Sequence, residues 1–330
     1  MAPRRDIRDQ IDAFRSLCDR ETPERVLAAA REALTHRHRL MVAKAAELAG
    51  DRLIYALEPD LIAAYRHFLE DPAKRDPGCT AKGAIARALV ALDSQDAGFF
   101  IDGIRYRQPE PVWGGSVDTA VDLRVSCAIG LAATSDPRAL IHLVGLLHDP
   151  EPHARSGAAR AIACTQPLAA EAVLRSKALG GDPEPEVTGD CLAALLQVAG
   201  EDALDFVGGF LVTPSMEING LAALALGESR LDGALDLLRA RWEAEPFKRG
   251  AEHLLLRAAA LHRSEAALDW LVSVVADADR ASAEVAIAEL GAYRNNARLR
   301  ARLGAVIAER DDPRLGAAYA KAFPITPPGA

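Results

Sequence analysis

The tetrapeptide Asp149-Pro150-Glu151-Pro152 recurs as Asp182-Pro183-Glu184-Pro185, thirty-three residues later, and each copy opens a stretch of Ala, Leu, Ile and Val at helical spacing. In the same register, turn-like breaks fall near Thr213-Pro214, Glu245-Pro246, 277–279 and Asp311-Asp312-Pro313. The interval stays at roughly 31 to 34 residues, long enough for two short helices and two turns. A unit of this size cannot bury its apolar stripe alone, so it must stack on its neighbours. Ala supplies about a fifth of the 330 residues and aromatics only 5%, which suits close-packed helices and argues against a sheet.

The unit at 122–147 shows the plan. Val125, Ile129 and Leu131 form a first stripe; Thr134-Ser135-Asp136-Pro137 stops it; Leu140, Ile141, Val144 and Leu147 form a second. Ser135 or Asp136 is the expected N-cap, with Pro137 at the first helical position, where its missing N–H costs nothing. Next come helices at 152–163 and 168–179, closed by Gly180-Gly181 and reopened by Asp182-Pro183. Later pairs are predicted at 187–196 and 203–212, 218–226 and 231–242, 251–261 and 266–275, and 281–290 and 299–307.

The stretch Asp149-Pro150-Glu151-Pro152-His153-Ala154-Arg155-Ser156-Gly157-Ala158-Ala159-Arg160-Ala161-Ile162 resembles a HEAT-like repeat of the short bacterial, phycobilisome-lyase type. Asp122-Leu123-Arg124-Val125 is a looser match, and Val187-Thr188 lacks the Arg. Tetratricopeptide and ankyrin signatures do not occur. The resemblance spans roughly 117–323. It implies an all-α, right-handed α-solenoid of stacked antiparallel helix hairpins, in which Asp149 and Arg155 tie one turn to the neighbouring unit. Residues 1–95 are predicted as an irregular helical N-terminal cap, 96–116 as an inserted Gly/Pro-rich loop, 117–323 as the repeat array and 324–330 as a tail.

Gly98 to Ser116 holds four of the sixteen aromatics. Phe99, Phe100, Tyr106 and Trp113, beside Asp102, Arg105, Arg107 and Glu110, are candidates for recognition on an ordered loop. The alternative is that Phe99, Phe100 and Ile104 plug the junction between cap and array, with the arginines merely solvated. The second helices add Arg138, His142, Arg175 and Arg239, with Lys177, Asp205 and Arg241, on the expected concave face.

Chemistry is not declared. Neither GxSxG, GxxxxGK nor HExxH occurs, and the five cysteines contain no CxxC pair, so they read as reduced core residues. Enzymes of the resembled class offer three precedents. A deoxyhypusine-hydroxylase-like di-iron site needs His-Glu pairs, and no histidine here precedes a Glu. A DNA-glycosylase-like groove needs a cationic surface, whereas the net charge is −8 and the segment beyond Asp93 is the acidic part. A bilin-lyase-like activity would have only Arg105, Arg107 and Trp113 to offer. The expected function is therefore a noncatalytic scaffold or adaptor binding a protein or peptide through its concave face and the 98–116 loop. No catalytic residue, metal or cofactor is assigned, and nucleic acid is argued against. With no apolar run of roughly 20 residues, a cytoplasmic location is expected; the alternative is a bilin-lyase-like or, less favoured, glycosylase-like enzyme or enzyme accessory.

Overall fold

A computed structural model describes residues 6–244 and 251–324; the expected break at Glu245-Pro246 and the segment 325–330 lie outside the described residues. The chain divides into two compact units between Ala170 and Glu171, within a helix, α11 (Pro167–Gly180). Both units are all-α apart from one two-stranded ribbon among the described residues.

The N-terminal unit contains α1 (Ile7–Arg20), α2 (Pro23–Leu34), α3 (Arg39–Asp51), α4 (Glu58–His67), the single turn α5 (Pro72–Arg75) and α6 (Thr80–Ala91). It continues with α7 (Ala97–Arg105), β1 (Pro109–Val112), β2 (Gly115–Asp118), α8 (Val121–Ala133), α9 (Ala139–Leu146) and α10 (Pro152–Ile162). Helices α3, α6, α8 and α10 pack side by side in that order, and the alternate helices form a second layer in which α2 meets α4 and α7 meets α9. The stacking thus begins at α3, upstream of the segment where the tetrapeptide announces it.

Region 98–116 departs from the expected loop. Its first half is helix α7, capped by Asp96, whose carboxylate accepts the Phe99 N–H at 2.9 Å. Phe99, Phe100, Gly103 and Ile104 are buried at helical spacing and pack on α8. Gly103 suggests a loop in the sequence, but its purpose is proximity: a Cβ there would sit 2.3 Å from Cys127 Sγ. Pro109 and Pro111 conceal the strand that follows, since proline is compatible with a strand only where its nitrogen faces away from the partner.

The buried stripes are also shifted from their predicted phase. In α8 the buried residues are Leu123, Arg124, Cys127, Ala128, Gly130 and Leu131, while Ile129 is exposed; in α9 they are Ala139, Leu143 and Leu146, while Ile141 is exposed. Helix α9 starts at Ala139, because Asp136 turns the chain by accepting the Arg138 N–H at 2.7 Å. Cys18, Cys79, Cys127 and Cys191 are buried free thiols, but Cys164 is exposed.

In the C-terminal unit, α12 (Pro185–Ala199), α14 (Met216–Ser229), α16 (Ala251–His262), α18 (Arg280–Leu290) and α20 (Pro313–Ala322) pack successively. Alternating with them are α13 (Leu204–Gly208), α15 (Asp232–Ala244), α17 (Glu265–Asp277) and α19 (Ala297–Arg310). The helix expected over 203–212 is reduced to the short α13 between two 3-10 turns. Side-chain caps from Ser215, Ser264, Asp279, Asn296 and Asp312 begin α14, α17, α18, α19 and α20, each satisfying donors that the helix leaves open. Between α14 and α16 the backbones approach so closely that a Cβ on Gly227 would lie 2.2 Å from the Ala258 carbonyl oxygen.

Candidate functional site

The β1–β2 ribbon stands out from this repeat plan. Its register pairs Pro109 with Asp118, Glu110 with Val117, Pro111 with Ser116 and Val112 with Gly115, leaving Trp113 and Gly114 as a two-residue turn. Gly114 takes φ +88°, the conformation that a type II turn requires at its second central position. Trp113 at the tip is fully exposed, and Val112 and Val117 beside it are half-exposed.

An isolated two-stranded hairpin is marginally stable; here the buried Gln108 and the half-buried Glu110 and Asp118 hold it. Glu110 Oε1 accepts the Gly78 N–H at 2.7 Å, Gln108 Nε2 at 2.7 Å and Thr119 Oγ1 at 2.9 Å. Burial alone would raise this carboxyl, but the bonds from Gln108, Gly78 and Thr119 outweigh it and hold Glu110 below the ordinary range. Asp118 behaves likewise: burial opposes its charge, while the Gln108 and Ala120 N–H groups and the Arg124 guanidinium keep its carboxyl low. Gln108 is the hub, donating to the Asp76 carbonyl at 2.8 Å and accepting from Tyr106 Oη at 2.9 Å. Burial pushes the Tyr106 hydroxyl up to about 12.

Under the hairpin lies a chain of buried charges with a common sequence spacing. Asp76 and Lys82, Asp118 and Arg124, and Asp149 and Arg155 are each six residues apart. In each pair the cation at the start of an inner-layer helix reaches back to the turn before it. Lys82 Nζ lies 2.9 Å from Asp76 Oδ2, with both side chains fully buried. Arg124 Nη1 lies 2.6 Å from Asp118 Oδ2, and Arg155 Nη1 donates to the carbonyls of Asp149 at 2.9 Å and Pro150 at 3.0 Å. Arg124 also reaches forward to Asp149 Oδ1 at 3.1 Å, so Asp149 does bind neighbouring hairpins together. The counterpart of Asp149 in the preceding turn is Asp118. Asp122, the looser sequence match, is largely exposed and 3.4 Å from His153.

The other candidates divide sharply. Phe99 and Phe100 are core, not surface: Phe99 meets Tyr65 edge-on at 4.7 Å, and the Phe100 ring occupies the space where Gly130 lacks a side chain. Arg107 is ion-paired with Asp149. Asp102 and Arg138 are exposed. Arg105 Nη2 lies 3.3 Å from His142 Nδ1, so that nitrogen is the acceptor.

In the C-terminal unit, Arg175 donates to the Asp202 carbonyl at 3.1 Å and lies 4.6 Å over the Phe206 ring. Arg239 repeats the arrangement, donating to the Ala266 carbonyl at 2.9 Å and lying 5.8 Å over Trp270. Both span twenty-seven residues, and both fasten one outer-layer helix to the start of the next. Lys177 and Arg241 are also engaged, with Asp182 at 2.7 Å and the Leu211 carbonyl at 3.1 Å, while Asp205 is exposed. The residues missed in the sequence are Asp76, Lys82, Gln108 and Asp118; the six-residue Asp-to-cation spacing is the signal for Asp76, Lys82 and Asp118, and Gln108 has none.

Among the described residues, no three His, Cys, Asp or Glu side chains are grouped to hold a metal, and no helix is long and apolar enough to cross a membrane. No protein-family model matches the chain, and no curated protein matches it. Among solved structures, it is similar to the complex of CpcE and CpcF of phycocyanin lyase from Nostoc sp. PCC7120. The two share 17% sequence identity and a TM-score of 0.33 over 73% of this chain and 89% of that one.

Proposed function

We propose that this chain is a noncatalytic helical-repeat scaffold that presents the 109–118 hairpin to a protein or peptide partner, with Trp113 as the anchor. One observation carries the reading: a fully exposed Trp stands at the tip of a ribbon whose base is fixed by Glu110, Asp118 and Gln108. Tryptophan is the residue type most enriched among energetically dominant contacts, and an element ordered in advance loses little entropy on binding. Nothing in the packing of the N-terminal unit needs this ring. The outer-layer arginines Arg175 and Arg239 act as staples in this reading, because their donors already serve neighbouring carbonyls. We place the protein in the cytosol, where the buried thiols stay reduced.

The test compares wild type with Trp113→Ala in affinity capture from the native cytosol. The same specific partners should be lost from the variant while its melting temperature stays within about 2 °C, the scale of a surface change. An unchanged set of captured proteins overturns the reading. Incubation with a bilin that leaves a covalent, denaturation-resistant chromophore on an added acceptor protein would overturn the noncatalytic part.

A further inference from the structure

The two edges of the ribbon are not equivalent. Thr119 N donates to Gln108 O at 3.0 Å, which sets the phase of the antiparallel ladder. Hydrogen-bonded pairs alternate with non-bonded ones, so Gln108/Thr119, Glu110/Val117 and Val112/Gly115 face inward. The outward residues are then Pro109 and Pro111 on β1, and Ser116 and Asp118 on β2. Both outward positions on β1 thus lack an N–H, which is a recognised guard against strand addition. The edge of β2 has no such guard. Ser116 offers an outward N–H and C=O between Gly115, which has no side chain, and Val117. All three are exposed, and the run from Pro111 to Val117 contains no charged residue. Asp118 closes this free edge, since its carboxylate is held by Arg124 and by the N–H groups of Gln108 and Ala120.

We infer that the partner docks as an extended, uncharged peptide strand along the outer edge of β2, turning the ribbon into a three-stranded sheet with Trp113 closing over one end. The inference rests on the hairpin reading above and names its mode of binding. Main-chain bonds at Ser116 supply pairing of the kind used in strand addition. Trp113 and Val117 supply apolar contact, and the uncharged run from Pro111 to Val117 offers a charged strand no side-chain counter-ion. The prolines direct the partner to one side.

The probe is a random dodecapeptide library displayed on phage and panned against the full chain, followed by titration of one enriched synthetic peptide. Ser116→Pro removes the outward N–H and guards β2 as β1 is guarded; Ser116→Ala keeps the N–H. Losing the main-chain bonds should weaken the peptide about tenfold or more in Ser116→Pro and less than about twofold in Ser116→Ala. The Ser116 amide of the wild type should gain exchange protection when the peptide binds. Equal affinity for wild type and Ser116→Pro overturns strand addition. If Trp113→Ala then still loses the peptide, the Trp-anchored reading survives alone; if neither variant loses it, both fall. A panning that enriches nothing over the Trp113→Ala protein also overturns the inference. Should Ser116→Pro lose the Thr119 amide protection that reports an intact hairpin, Ser116→Lys replaces it. That variant puts a charge on the edge, and peptide binding within twofold of wild type would then overturn the inference.

Discussion

The two units solve the same stacking problem by different means. In the N-terminal unit, Asp76, Lys82, Arg124, Asp149 and Arg155 are charged and buried; in the C-terminal unit, the buried polar residues among the described ones are Thr188, His262 and Ser282, and the charged pair Lys177–Asp182, at 2.7 Å, keeps 13% of the lysine side chain exposed against 1% of the aspartate. Yet inner-layer helices pack side by side in both. Buried ion pairs are weak sources of net stability but strong constraints on geometry, because breaking one strands the other charge. The buried cations gather where the repeat must carry an irregular element, the hairpin; the stretch after it relies on small residues and on partly exposed arginines that donate to neighbouring carbonyls. The buried His262 adds a tie between hairpins, with Nε2 donating to the Leu231 carbonyl at 2.9 Å and Nδ1 lying 2.9 Å from Ser264 Oγ. Ser264 Oγ also accepts the Ala267 N–H at 3.1 Å.

The contrast breaks most visibly at Lys82. Lys82→Ala leaves the Asp76 carboxylate fully buried without its cation, and the expected loss is about 3–5 kcal/mol, read from the denaturant midpoint. A loss below about 1 kcal/mol would mean that the buried charges are incidental. In the C-terminal unit the sensitive change is steric. Gly227→Ala pushes a methyl into the Ala258 carbonyl and should cost about 1–3 kcal/mol despite its better helix propensity. Gly316→Ala, on α20 where a Cβ meets nothing within 4 Å, should stabilise by about 0.4–1 kcal/mol. Equal melting shifts for the two glycine variants would refute close packing as the device of this unit.

Acid sharpens the comparison further. Glu110 and Asp118 have carboxyl groups held below their ordinary values. Their contribution is therefore complete above the unfolded carboxylate range near about pH 4 and is lost as pH falls through the lower folded values. The protection factor of the Thr119 amide should stay flat from about pH 7 to 5 and decline below about pH 4, with less decline in Glu110→Gln. A decline already under way between pH 7 and 5 would assign the effect to another group. The smallest stability effect belongs to Trp113→Ala, within about 0.5 kcal/mol of wild type. A larger cost would make the ring a packing element and remove it from recognition.

Much of the fold could be read in advance, and the reasons for the misses are local. Pro and Gly announced the turns at Gly180-Gly181 and Asp312-Pro313 because those residues act on their own backbone. The same residues misled at 98–116: Gly103 is small because Cys127 is near, and Pro109 and Pro111 occupy outward strand positions, facts that depend on a neighbour distant in sequence. The buried Arg124 pulled the stripe of α8 away from Ile129, since periodicity counts only apolar residues. As for the candidates, Trp113 is fully exposed, but composition does not reveal that Arg107, Arg175 and Arg239 are already engaged.

By itself, the chain's order of residues settled that it forms short helices, where most of them stop, and that they repeat at an interval near thirty-three, because caps, breakers and apolar spacing are properties of adjacent residues. Only the packed structure decided which cations are buried, that a ribbon grows where a loop was expected, and that one of its edges is left open. Those outcomes depend on groups brought together from 25 to 42 residues apart, such as Arg124 with Asp149, Gly78 with Glu110 and Arg107 with Asp149. Desolvation and hydrogen-bond geometry act on such distances in space, which the linear order does not record.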